Sequence, residues 1–137
     1  MSYKHYWSMP EGEDAQDRVS NAWADCMQIL DKTERAYRVD VLGGVKYTVV
    51  CNDEPDDAGF HIPKKFTPGG AYFVWQTTQP HAQYDDVVVM CLCVMAENGY
   101  HVTSDGTRSD WEAGRSLAET ILKRPVSIPS TIDAEEE

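Results

Sequence analysis

The sequence is poor in basic residues. Of its 137 residues, 12 are Lys or Arg and 23 are Asp or Glu, which gives a net charge of −11 with the histidines neutral. A protein of this charge repels the phosphates of nucleic acids and the headgroups of acidic lipids. We therefore expect no direct binding of DNA or RNA and no membrane partner.

Long apolar runs and an export signal are also lacking. The longest apolar run, residues 87–96, is about half the length of the roughly 20 residues that span a bilayer. The first seven residues lack the apolar segment of a secretory signal. We expect a cytoplasmic protein, in the host-cell cytosol if it is viral. In that compartment its cysteines would be reduced and would pack as small apolar side chains. They are Cys26, Cys51, Cys91 and Cys93.

The familiar motifs of catalysis and cofactor binding are missing. The glycines form neither G-x-G-x-x-G nor a phosphate-binding loop, and no G-x-S-x-G elbow is present. Cys91 and Cys93 lie within an apolar run and not on a turn, and the acidic run at 53–57 lacks calcium-loop spacing. We predict no metal, no cofactor and no catalytic residue. A hydrolase built from the following residues is conceivable, but turn and helix-start functions suit them better: His101, Ser104, Asp105, Ser109 and Asp110.

The periodicity of apolar residues predicts an α+β domain. Residues 13–34 carry an apolar stripe with i, i+3, i+4 spacing, and a second helix is predicted at 109–123. Alternating or β-branched segments predict strands at 37–41, 45–51, 71–78, 86–96 and 100–104, with an additional edge strand at 3–7. Short connections favour a mainly antiparallel sheet of about five strands with two helices packed on one face. We expect one domain over 1–125 and a flexible acidic tail over 126–137.

Clustered acids and strand aromatics indicate a binding surface. Carboxylates attract a basic partner, and aromatic side chains bury much area at little entropic cost. We interpret the chain as a small acidic, non-catalytic protein that docks on and inhibits a basic protein, such as one that handles nucleic acid, as viral accessory and anti-defence proteins do. The predicted partner-binding residues are Glu11, Glu13, Asp14, Asp17, Asp53, Glu54, Asp56, Asp57, Tyr72, Trp75, Tyr84, Asp85 and Asp86.

Two alternatives remain open on the sequence. One is a small-molecule or nucleotide-binding protein, or a small enzyme, with a pocket between the sheet and the loops at 52–70 and 76–86. The other is a structural component of a larger, virion-type assembly. The polar residues of the alternative pocket would be His61, Lys64, Lys65, His81 and His101.

Overall fold

The computed structural model describes residues 3–33, 37–42, 46–51, 60–66, 72–77 and 85–132. This part of the chain mixes helices with antiparallel strands, which confirms the α+β class. In chain order the elements are β1 (Tyr3–Ser8), α1 (Ala15–Lys32), β2 (Tyr37–Leu42), β3 (Lys46–Cys51), β4 (His61–Pro63), β5 (Tyr72–Thr77), α2 (Asp85–Glu97), β6 (His101–Ser104) and α3 (Arg108–Leu122).

The sheet and helix numbers differ from those predicted. Within the described ranges there are three helices, and the strands form two three-stranded sheets with the orders β5-β1-β6 and β2-β3-β4. The prediction of about five strands in one sheet with two helices was therefore wrong. The expected edge strand near the N-terminus, β1, is the central strand of its sheet. The strands predicted at 37–41 and 45–51 are present as the antiparallel pair β2–β3, although residues 43–45 lie outside the described ranges.

The main error concerns residues 86–96, predicted as a strand and found in helix α2. Every residue from Val87 to Met95 is buried. An element covered on all sides shows neither the strand period nor the helix period, so its apolar run fits a buried helix as well as a buried strand.

Helix α2 packs between α1 and α3. The close approach to α3 depends on Gly114, where an added Cβ would lie 2.6 Å from Val89 Cγ1. Since real Cβ atoms do not come that near, a side chain at this position would push the two helices apart. Trp7 of β1 and Phe60, which precedes β4, meet in the same core with ring centroids 4.8 Å apart.

The domain continues beyond residue 125. Val126 and Ile132 are buried, and the Val126 amide donates a hydrogen bond to Glu119 Oε2 at 3.0 Å. Both residues belong to the segment predicted as a flexible acidic tail, and their apolar side chains reach the core. Residues 133–137 lie outside the described ranges.

The register of the β5-β1-β6 sheet defines two faces. His5 is paired with Trp75 on one side and Ser104 on the other, whereas its neighbour Tyr6 is paired with Val74 and Thr103. Since successive side chains of a strand point to opposite faces, these two rows face apart. The row of His5 lies on the inner face, against the helices, and the row of Tyr6 lies on the outer face.

Candidate functional site

Four carboxylates follow β1 and enter the first turn of α1. All four are exposed, and we call them the acidic edge: Glu11, Glu13, Asp14 and Asp17. Asp14 is paired with Arg18 at 2.9 Å, one turn along the helix. Within the described ranges, no other base forms an ion pair with the acidic edge. The segment therefore keeps most of its negative charge facing solvent.

A polar depression lies beside the acidic edge. It has a volume of about 380 Å³ and is lined by Ser8, Met9, Glu11, Gly99 and His101. Ser8 and His101 are adjacent because they are cross-strand partners in the β1–β6 ladder. Gly99 adopts φ +91° in the turn between α2 and β6, a conformation that favours glycine. The depression thus joins Glu11, predicted for a partner surface, with His101, predicted for the alternative pocket.

The outer face of the sheet continues from this depression. Ser8 is two residues from Tyr6 on the same strand, and His101 is two residues from Thr103. Tyr6 and Thr103 are half-buried, while Val74 is 51% exposed. An aromatic and an aliphatic side chain therefore lie next to each other on a surface that begins at the acidic edge.

Two predicted partner-binding residues lie inside the protein instead. Trp75 is 6% exposed and stacks on the His5 ring at a centroid distance of 6.0 Å. Asp85, the first residue of α2, is completely buried. Neither side chain reaches the surface predicted for partner binding, because the register turns Trp75 inward and Asp85 pairs with the buried His5.

The other predicted residues divide into those that the structure describes and those that lie outside the described ranges. Asp86 is half-buried in the first turn of α2, whereas Lys64 and Lys65 are exposed after β4 and neither lines the depression. Lys64 Nζ lies 5.6 Å from the centroid of the Trp23 ring. His61 belongs to β4 and Tyr72 to β5. Outside the described ranges lie Asp53, Glu54, Asp56, Asp57, His81 and Tyr84.

The inner face holds a chain of three polar residues that the sequence did not reveal. His5 Nδ1 lies 2.8 Å from Ser104 Oγ, and His5 Nε2 lies 2.8 Å from Asp85 Oδ1. The histidine and the aspartate are completely buried, and the serine is half-buried. A serine, an imidazole and a carboxylate in this order form the constellation of nucleophile, base and orienting acid found in hydrolases.

The hydrogen bonds of Ser104 argue against a nucleophilic function. Its Oγ accepts the Gly106 amide at 2.9 Å and the indole N–H of Trp111 at 3.3 Å. A hydroxyl oxygen has two lone pairs, so its own proton is left to be donated to His5 Nδ1. His5 Nε2–H then donates to Asp85. Because both lone pairs of the serine are occupied, we interpret the triad as a structural link between β1, β6 and the start of α2.

The thiols of Cys26, Cys91 and Cys93 are buried. Cys91 and Cys93 both lie on α2, where residues two positions apart point in different directions. A hydrogen bond with Cys26 and burial hold the pKa of the Cys91 thiol well above its usual value. Burial, with a smaller contribution from Glu97, raises the pKa of Cys93 to about 12. The Cys91 and Cys93 thiols are therefore protonated at neutral pH and poor nucleophiles.

Among the residues that the structure describes, no three His, Cys, Asp or Glu side chains come together in a way that would hold a metal ion. Nor does any described helix have the length and apolar character needed to cross a bilayer.

Comparison with known proteins gives no relative. The chain matches no protein-family model, no curated protein and no solved structure.

Proposed function

We propose that this protein is a small acidic binding protein that docks on a basic partner protein and inhibits it by covering its basic surface. The observation that carries this proposal is the exposed acidic edge, four carboxylates within seven residues beside a polar depression. A basic protein that handles nucleic acid is the class of partner that best fits this charge.

The electrostatics favour such an encounter. The net charge of −11 attracts a cationic surface over several ångströms, and the clustering of four exposed carboxylates strengthens that field locally at the acidic edge. Charge of this kind increases the association rate and excludes acidic competitors. Since exposed charges are screened within about 10 Å at 0.1 M salt, capture of the partner should weaken as salt rises.

The depression supports docking at the same place. Glu11 provides a carboxylate, Ser8 a hydroxyl and His101 an imidazole, all groups that accept hydrogen bonds from a lysine or an arginine. We therefore expect a basic side chain of the partner to enter the depression while neighbouring bases contact the acidic edge.

The proposal is tested by neutralising the acidic edge without changing its shape. The test variant carries Glu11→Gln, Glu13→Gln and Asp17→Asn and keeps the Asp14–Arg18 pair. The control variant carries Glu135→Gln, Glu136→Gln and Glu137→Gln. Each removes three negative charges, so the two differ in where the charge is lost and not in how much. Both are used as bait in lysate of the source cells at 50 and 500 mM salt, with recovery quantified by mass spectrometry.

We expect the unaltered chain and the control to recover one basic protein in stoichiometric amount at low salt. The test variant should recover at least about tenfold less, because the lost charges face the partner. Equal recovery by the two variants, or recovery of the free protein alone at both salt concentrations, would overturn the proposal. If a basic partner is recovered, its own activity with and without the protein then tests inhibition.

A further inference from the structure

We propose that the outer face of the β5-β1-β6 sheet, centred on Tyr6 and Val74, is the apolar part of the docking surface and seats the same basic partner. This inference rests on the proposed function and adds the place where the partner's uncharged contacts lie.

The outer face carries a large apolar side chain that is exposed to solvent. Val74 and Leu117 are the two large apolar side chains that are markedly exposed within the described ranges, at 51% and 48%. Val74 is directly opposite Tyr6 in the β1–β5 ladder, whereas Leu117 lies on α3. Tyrosine is one of the residue types that contribute most to protein interfaces, and Val74 extends the exposed apolar area beside Tyr6.

The outer face is continuous with the depression beside the acidic edge. Along β1, Tyr6 is followed two residues later by Ser8, which lines the depression shared with Glu11 and His101. The acidic edge therefore borders one end of the outer face. Lys4, two residues before Tyr6, lies at the opposite end. A partner that is basic over the acidic edge and neutral or acidic over Lys4 complements this surface in one orientation.

The area of the outer face shows how much of an interface it could form. Three strands spaced about 4.8 Å apart and at most six residues long, at about 3.3 Å per residue, form a face of roughly 300 Å². A stable complex buries about 800 Å² on each partner. The outer face alone is too small, so it would be used together with the acidic edge. A second copy of this chain is disfavoured as the occupant, because each copy carries a net charge of −11.

The test places a photoreactive residue on each of the two exposed apolar positions. p-Benzoylphenylalanine is introduced at Val74 in one variant and at Leu117 in the other, and a third variant carries it at Tyr6, where it replaces another aromatic residue. Cooperative thermal unfolding confirms that each variant is folded. Each is irradiated in source-cell lysate at 50 and 500 mM salt, and cross-linked products are identified by mass spectrometry.

We expect positions 74 and 6 to cross-link to the basic protein recovered through the acidic edge, with at least about tenfold less product at high salt, and position 117 not to do so. Recovery of that partner without cross-linking from positions 74 and 6, or with equal cross-linking from position 117, overturns this inference and leaves the proposed function standing. A product of twice the chain's own mass would show that a second copy occupies the face and would also overturn it. If neither experiment yields a basic partner, the proposed function itself fails.

Discussion

The two faces of the β5-β1-β6 sheet carry similar residue types in opposite environments. On the inner face Trp7 is completely buried and packs against Phe60 and Phe73, with ring centroids at 4.8 and 5.8 Å. One residue earlier, Tyr6 lies on the outer face beside the exposed Val74. Residue type alone therefore does not separate core positions from surface positions in this protein. The parity of each residue along β1 does, because it decides which face the side chain occupies.

The largest expected difference in stability is between truncations of two neighbouring aromatic residues on β1, Trp7 and Tyr6. Trp7→Ala should lower the free energy of unfolding by about 3–5 kcal/mol, because it leaves a large cavity in the core. Tyr6→Ala should lower it by less than about 1 kcal/mol, since its side chain is partly in water already. Urea denaturation of both variants measures the difference. Similar losses would show that the two faces are not distinct in stability.

The buried pair on the inner face gives the next effect. Asp85→Ala should lower the free energy of unfolding by about 3 kcal/mol, because His5 Nε2–H loses its buried acceptor. Asp85→Asn keeps an acceptor oxygen at that position and should cost clearly less. The control is Asp17→Ala, an exposed acid in the first turn of α1, for which a few tenths of a kcal/mol are expected. Equal losses for Asp85→Ala and Asp17→Ala in urea denaturation would contradict a structural function of the triad.

Alkaline pH should destabilise the core. Burial raises the pKa of Tyr3 and Tyr100 far above the usual 10.0 and that of Cys93 from 9.0 to about 12. In the unfolded chain these groups lose their protons at lower pH than in the folded protein. Stability is therefore complete below about pH 9 and falls as pH rises towards the folded pKa values.

For Cys93 alone the loss should reach about 2 kcal/mol by pH 10.5. Urea denaturation between pH 7 and 10.5 measures it, and Cys93→Ala should reduce the slope of unfolding free energy against pH. A free energy of unfolding that stays constant over this range would show that the core groups are not shielded from solvent.

The smallest effect on stability is expected at the acidic edge. Glu11→Gln, Glu13→Gln and Asp17→Asn together should change the free energy of unfolding by less than about 1 kcal/mol, because all three side chains are exposed. Thermal unfolding checks this. A larger loss would mean that these carboxylates support the fold, and a loss of partner binding in that variant would then have a structural cause.

Local patterns in the sequence predicted part of this arrangement. The apolar stripe of residues 13–34 predicted a helix, and helix α1 is found at Ala15–Lys32 with that stripe buried. The acidic edge is a local feature and was found as a cluster. Helix α2 was mistaken for a strand because burial on every side removes the periodicity that distinguishes the two.

The triad shows why the rest could not be predicted. Along the chain, Asp85 lies 80 positions and Ser104 lies 99 positions after His5. The three residues meet through the antiparallel register of β1 with β6 and through the position of the start of α2. Strand register over such distances is not encoded in any short pattern. The inward orientation of Trp75 depends on the same register, which explains why it was assigned to the surface.

We expect partner binding to depend on charge at the acidic edge and stability to depend on the inner face. The salt dependence of the dissociation constant for the recovered basic protein, measured by calorimetry between 50 and 300 mM salt, tests the first of these. We expect a steep slope of log Kd against log salt for the unaltered chain and for the Glu135→Gln, Glu136→Gln, Glu137→Gln control, and a clearly shallower slope with weaker binding for the Glu11→Gln, Glu13→Gln, Asp17→Asn variant. The same slope and affinity for all three proteins would contradict it.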